Sequence, residues 1–183
     1  MAYDETNMSQ QPETQVVHDG KHIQLVRQNG WEFARRKGIS GIVGVVAVTD
    51  DHRLVLVEQY RPPVRARVIE LPAGLAGDGE GHRNEDLADA ARRELLEETG
   101  YEADRMQRVA AGAASAGMTD EVITLFRATG LSKVGEGAGD ETEDITVHEV
   151  PLGGVIDWLA AREREGLLID LKVYGGLYFA RLD

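Results

Sequence analysis

Three glutamates, Glu94, Glu97 and Glu98, lie three and four residues apart in the stretch Arg93-Glu94-Leu95-Leu96-Glu97-Glu98. On a helix that spacing stacks Glu94 and Glu98 on one face and sets Glu97 beside them. Like charges so placed repel by about a few tenths of a kcal/mol per pair. Gly100 marks the helix end, where the dipole is negative and disfavours anions. A helix built only for stability would carry Lys or Arg in that turn. The plain alternative is a solvated face with Arg93 paired to Glu97. Their place in the last turn and their context favour a site, because clustered carboxylates are what a hard cation such as Mg²⁺ requires.

A second acidic cluster, Asp140, Glu141, Glu143 and Asp144, has no basic residue among its members and follows Gly135, Gly137 and Gly139. It reads either as a solvated loop or as the source of a general base that reaches an attacking water. Carboxylates already bound to metal are poor bases, so the two clusters suit different roles.

The elements that must position these groups follow from pattern. Glu85–Thr99 predicts a helix with Asn84 as N-cap. The run Ile42–Val48 is β-branched and suits a strand buried on both faces. Leu54–Gln59, Val68–Leu71, Arg108–Ala114, Val122–Ala128 and Ile145–Val150 predict further strands. Gln15–His18 and Lys21–Arg27 predict a hairpin turning at Asp19-Gly20. Gly74–Asn84 has the composition of a flexible loop. Val155–Arg164 and Asp170–Leu182 predict helices, although Gly175-Gly176 weakens the second. Strands and helices intermix, which argues for a mixed α/β sandwich rather than a pure βαβ series.

The 183 residues suit a single domain, and 42% hydrophobic content suffices for a core. The absence of cysteine excludes disulfides, zinc–cysteine sites and a thiol nucleophile. With 32 acids against 20 bases, the net charge of −12 argues against binding nucleic acid through its backbone. It leaves phosphates open, provided that a divalent cation bridges them to the protein. No stretch has the ~20 apolar residues of a membrane span. Residues 1–14 lack signal-peptide features and read as a disordered tail, so the expectation is a soluble cytoplasmic protein.

The pattern Gly79-x5-Glu85-x7-Arg93-Glu94-Leu95-x-Glu97-Glu98-x-Gly100-Tyr101 resembles the Nudix box position by position. Tyr101 stands where an aliphatic residue is usual. Glu58-Gln59-Tyr60-Arg61, Glu70-Leu71-Pro72-Ala73-Gly74 and the acidic run at 140–144 are similar to the ADP-ribose and nucleoside-diphosphate-sugar pyrophosphatase branch of the family. The loop after Gly74 is longer by five residues, which leaves two candidates, Gly74 and Gly79, for the structural glycine. Ser115-Ala116-Gly117 replaces a proline-containing turn common among ADP-ribose enzymes.

The resemblance implies a Nudix-type α/β/α sandwich over residues 15–183, with an N-terminal arm at 15–36 that contacts the partner in a homodimer. It implies hydrolysis of the pyrophosphate bond in ADP-ribose or a related nucleoside diphosphate sugar, with Mg²⁺ as cofactor and Mn²⁺ able to substitute. Another nucleoside-diphosphate substrate, such as a dinucleotide or NTP, and a non-catalytic ligand sensor are the alternatives. The implied metal ligands are Glu94 and Glu98, with Glu97 and the backbone carbonyl of Ala73. The implied base is Glu141, with Glu143 second, and Arg93 orients Glu97. Arg61 and Glu70, Arg36 and Trp31 are the substrate-side candidates. Arg61 equally suits a surface arginine, and Trp31 a core or dimer position.

Overall fold

The computed structural model describes residues 13–78, 81–83, 85–137 and 144–182. It divides into two compact units, one of residues up to 38 with 113–121, the other of 39–112 with the rest from 122.

The smaller unit holds a three-stranded antiparallel sheet of β1 (Gln15–Asp19), β2 (Ile23–Gln28) and β3 (Trp31–Arg36). The expected hairpin is present, but its turn spans residues 20–22, and the Gly20 N–H closes it on the Ile23 carbonyl. The two-residue turn of positive φ lies one strand later, at Asn29 and Gly30 (φ 51° and 80°), with Gln28 opposite Trp31. Within this unit Ala34 forms a parallel bridge with Thr119, and Arg35 and Arg36 pair with Asp120 and Glu121 at 2.6 and 3.0 Å.

The larger unit is a mixed sheet with helices on both faces. Its strands are β4 (Gly41–Val48), β5 (Arg53–Arg61), β6 (Ala66–Glu70), β7 (Ala73–Ala76), β8 (Tyr101–Ala113), β9 (Val122–Lys133), β10 (Thr146–Pro151) and β11 (Leu168–Ile169). The path runs β11-β6-β5-β4-β9-β8, with β10 on β5 and β7 on β4. β4 runs parallel to β9 and antiparallel to its other neighbours. β4 is buried because both of its faces are covered. Val43, Val45 and Ala47 meet the helix α1 (Leu87–Thr99) through Ala90, Ala91 and Leu95. Val46 and Val48, pointing the other way, meet α2 (Val155–Arg164) and α3 (Leu171–Ala180) through Val155, Leu159, Val173 and Leu177.

Some boundaries move. Asp86 caps α1 by accepting the Ala88 N–H at 2.8 Å, so the helix starts at Leu87 rather than Glu85. The expected cap, Asn84, lies outside the described residues. The supposed loop from Gly74 begins as a strand, β7, because its backbone pairs with β4 from Gly41 to Gly44. α3 runs through Gly175-Gly176: a Cβ on Gly176 would press on Leu71 and Val46 at 3.0 and 3.4 Å, so that glycine seats the helix on the sheet. Among the described residues no helix is long and apolar enough to cross a membrane.

Candidate functional site

β7 and the second half of α1 meet at the glutamates. Glu98 is 3% exposed, and its Oε2 accepts the Ala73 N–H at 3.0 Å. Glu94 rests on the next residue: a Cβ on Gly74 would stand 1.9 Å from Glu94 Cδ and 2.1 and 2.2 Å from its oxygens. Only glycine at 74 lets strand and carboxylate touch. Gly74 therefore makes the close approach, and Gly79 lies outside the described residues. Glu97 is more open, its side chain 52% exposed.

Arg93 binds these acids together. Its Nη1 donates to Glu94 Oε1 at 2.8 Å and to Glu97 Oε2 at 3.0 Å. Its Nε and Nη2 donate to the two oxygens of Glu85 at 3.0 and 3.1 Å, and Nη2 also to the Leu75 carbonyl at 3.1 Å. The bonds from Arg93 hold the Glu85 carboxyl below its ordinary range, and Glu85 foremost pushes the guanidinium further up. Arg93 thus ties α1 to β7 and fixes how Glu94 and Glu97 point, which extends the expected pairing with Glu97 alone.

Arg61 Nε donates to Glu70 Oε2 at 2.7 Å. Glu70 is opposite Val57 in the β5–β6 register, so this pair sits on the sheet face that α1 covers. On the other face a second network forms. Glu58 accepts from Arg67 Nε at 2.5 Å and meets His148 Nε2 at 2.9 Å. Arg67 also reaches Asp144, donating from Nη1 to Oδ2 at 2.8 Å and from Nη2 to the carbonyl at 3.3 Å. His148 packs against Trp158 of α2, ring centroids 5.0 Å apart. Burial pushes the Glu58 carboxyl up, but the bonds from His148 and Arg67 outweigh it and hold the carboxyl below its ordinary range.

The segment after β9 runs over the end of α1. Gly100 accepts from the N–H groups of Val134 and Gly135 at 2.8 and 3.2 Å. A Cβ on Gly137 would stand 2.5 Å from the Thr99 carbonyl carbon and 2.6 Å from the Glu98 oxygen. Tyr101 explains the departure from an aliphatic residue: its ring is buried and its hydroxyl donates to Glu149 at 2.7 Å, so burial and then Glu149 push its pKa up to about 12.

The other expected residues are not all brought together. Glu141 and Glu143 lie outside the described residues. Arg36 and Trp31 belong to the smaller unit, where Arg36 pairs with Glu121 and Trp31 is 64% exposed, which excludes a core position for that ring. Glu85 and Glu58 stand in the sequence motifs without an assigned role, and Arg67 and His148 are not singled out there at all. The motif spacing Glu85-x7-Arg93 already holds the first pair, while the others meet across strands, where no local period shows them.

Among the described residues no three Asp, Glu or His side chains close around one point as a metal cage. Mg²⁺ seldom needs one, being held by one or two carboxylates while water and substrate phosphates complete its octahedron. Glu94 and Glu98, both set on the Ala73–Gly74 backbone, offer such an all-oxygen pair.

The NUDIX domain family model matches residues 40–166. The chain belongs to the Nudix hydrolase family. It is 41% identical over 143 residues to a methanol dehydrogenase activator of Bacillus methanolicus, covering 78% of this chain and 72% of that one. It is 37% identical over 124 residues to an ADP-ribose pyrophosphatase of Bacillus subtilis (strain 168), covering 67% of this chain and 64% of that one. A crystal structure of an ADP compounds hydrolase superposes with a TM-score of 0.64 at 22% identity, covering 82% and 84% of the two chains, a likeness of fold. The Nudix-box pattern takes in α1 with its carboxylates, which pack beside β7, and the mixed sheet between helices is the fold expected of the family.

Proposed function

We propose that this Nudix hydrolase cleaves the pyrophosphate bond of ADP-ribose or a related nucleoside diphosphate sugar, giving a nucleoside monophosphate and a sugar phosphate. The observation that carries the reading is the seating of Glu94 and Glu98 on Ala73–Gly74, with Arg93 fixing their direction. The 37% identity to an ADP-ribose pyrophosphatase supports the substrate class.

Glu94 and Glu98 would hold Mg²⁺ or Mn²⁺, with Glu97 and the Ala73 carbonyl as further donors. When bound, the ion supplies charge neutralisation for the diphosphate and lowers the pKa of coordinated water. Glu141 accepts the proton of the attacking water, with Glu143 the second candidate for that role. Arg61, steadied by Glu70, offers guanidinium donors to a phosphate. Arg36 is a further phosphate contact, and Trp31 a stacking surface for the base. The enzyme acts in the cytoplasm as a homodimer in which residues 15–36 contact the partner.

Product analysis over ADP-ribose, sugar nucleotides, dinucleotides and NTPs, with Mg²⁺, Mn²⁺ or EDTA, tests this reading. The expected result is metal-dependent release of AMP and ribose phosphate, or of the corresponding pair from another sugar nucleotide. A preference for dinucleotides or NTPs would replace the substrate class. Tight binding without cleavage of any of them would make the chain a ligand sensor.

A further inference from the structure

Gln59 is 5% exposed, yet its side chain makes no hydrogen bond to any described residue. A covered carboxamide without a partner is costly, because it gives up bonds to water and gains none in the protein. Nearly all buried polar groups of native proteins are paired. An amide left over inside a fold therefore calls for a partner that arrives from outside.

The sheet register shows what surrounds this amide. Gln59 lies in β5 opposite Val68 of β6. Arg61, two residues on, is opposite Ala66, and Glu70 is opposite Val57, two residues back. Residues two apart along a strand share a face, so Gln59, Arg61 and Glu70 all lie on the face that α1 covers. Arg61 and Glu70 flank the Gln59–Val68 rung from opposite sides, and their 2.7 Å bond passes across it. Both members of that rung are accordingly buried. Three residues after Glu70 the chain reaches Ala73, whose N–H binds Glu98, so the same backbone leads from this face to the carboxylates.

The donors and acceptors around the rung select a ligand. A carboxamide both donates and accepts, Arg61 only donates, and ionised Glu70 only accepts. A phosphate oxygen only accepts, which suits Arg61 but is repelled by Glu70. A hydroxyl donates and accepts, as the mixed set requires. In a nucleoside diphosphate sugar, hydroxyls flank the diphosphate on both sides, which sets one beside a phosphate taken by Arg61.

We infer that the Gln59 carboxamide recognises a sugar hydroxyl of the substrate and is a specificity-determining residue of the site. This rests on the pyrophosphatase reading and on Arg61 lying at a phosphate.

The test compares wild type and Gln59→Met on three compounds: ADP-ribose, the ethyl ester of ADP, which lacks the distal sugar, and an ADP-ribose analogue without the adenosine ribose hydroxyls. Methionine keeps the length of the side chain and removes its polar atoms. The expected result is a loss in kcat/KM of about 10- to 100-fold on ADP-ribose. On one of the other two compounds the variant should match the wild type within about threefold, and that compound names the sugar whose hydroxyl is read. Inhibition constants replace kcat/KM for a compound that is not cleaved. The urea midpoint should be unchanged or raised, since no internal partner is orphaned. An undiminished kcat/KM on ADP-ribose overturns the inference, as does an equal loss on all three compounds with a lowered midpoint, the mark of a structural glutamine. If Gln59→Met fails to fold, Gln59→Leu carries the same expectations. If the wild type cleaves none of the three, the functional reading has failed. Calorimetric titration of the same compounds then decides the inference, and Gln59→Met binding ADP-ribose as the wild type does overturns it.

Discussion

α1 and α2 cover opposite faces of one sheet and answer to different demands. α2 ends with Arg162 and Arg164 in its last turn, as its dipole favours, and Arg162 pairs with Glu165 and lies over the Trp158 ring. α1 has no base in its last turn and carries Glu97 and Glu98 there instead, with Glu98 buried. Both helices bury the same kind of apolar stripe, Ala90, Ala91 and Leu95 in α1, Val155 and Leu159 in α2. The contrast therefore lies in the charges alone. α2 is arranged to stay folded, while α1 accepts repulsion so as to present carboxylates beside β7.

The sharpest way to break this comparison is to remove one acid from each helix. On the proposed reading Glu98→Gln removes a metal ligand and should lower turnover at least about 100-fold. The glutamine can still accept the Ala73 N–H, and the lost repulsion should leave the melting temperature unchanged or slightly raised. Glu163→Gln in α2 should change turnover less than about twofold, as surface substitutions do. Equal effects in metal-dependent assays of the two variants would dissolve the distinction.

The helix α1 and its acidic face are legible in the sequence because they are local. Acids at i, i+3 and i+4, a glycine stop and the fixed spacing from Gly79 to Tyr101 all lie within one continuous stretch. β7 is not legible, because Ala-Gly-Leu-Ala has no strand pattern of its own and becomes one only by pairing with β4. The early start of β8 at Tyr101 is hidden by the charged, solvent-facing Glu102, Asp104 and Arg105, and the late end of β9 at Lys133 by Gly130 and the polar Thr129 and Ser132. The Glu58–Arg67–His148 network joins residues up to 90 apart in sequence, so nothing nearby in the chain points to it.

Truncating each stripe sharpens the comparison. Leu95→Ala and Leu159→Ala should each cost about 2–5 kcal/mol in urea unfolding, because both side chains are fully buried. Only Leu95→Ala should also reduce turnover of the folded protein, since it loosens the helix that holds Glu94 and Glu98. Comparable turnover in the two variants, measured well below their midpoints, would mean that α1 need not be rigid.

Gly74→Ala tests the contact between β7 and α1 itself. Its added methyl would occupy the Glu94 carboxylate's place, so the carboxylate must swing away at a cost of about 1–3 kcal/mol. Turnover should fall with it. Gly154, the N-cap of α2, has nothing within 4 Å of an added Cβ, and Gly154→Ala should cost only about 0.5–1 kcal/mol, the difference between the two residues as caps. Full activity in Gly74→Ala would show that Glu94 need not touch the strand.

The smallest expected effect compares the two faces by acid titration. Glu85, beside α1, and Glu58, on the opposite face, are both held below the ordinary carboxylate range, Glu85 by Arg93 and Glu58 by His148 and Arg67 against its own burial. A carboxyl whose pKa is lower folded than unfolded stabilises the fold above the unfolded value of about 4.3 and loses that contribution as the pH drops through the folded value. Each group should therefore stabilise the fold at pH 7 and contribute nothing once protonated in both states. In Glu58→Gln and Glu85→Gln the stability gap from the wild type should narrow as urea unfolding is carried from pH 7 to pH 3. In an Arg67→Ala background, where one of its two cationic partners is gone, the Glu58 gap should be smaller at pH 7 and change less with pH. A gap that stays constant with pH would mean that these carboxylates act through shape rather than charge, on both faces alike.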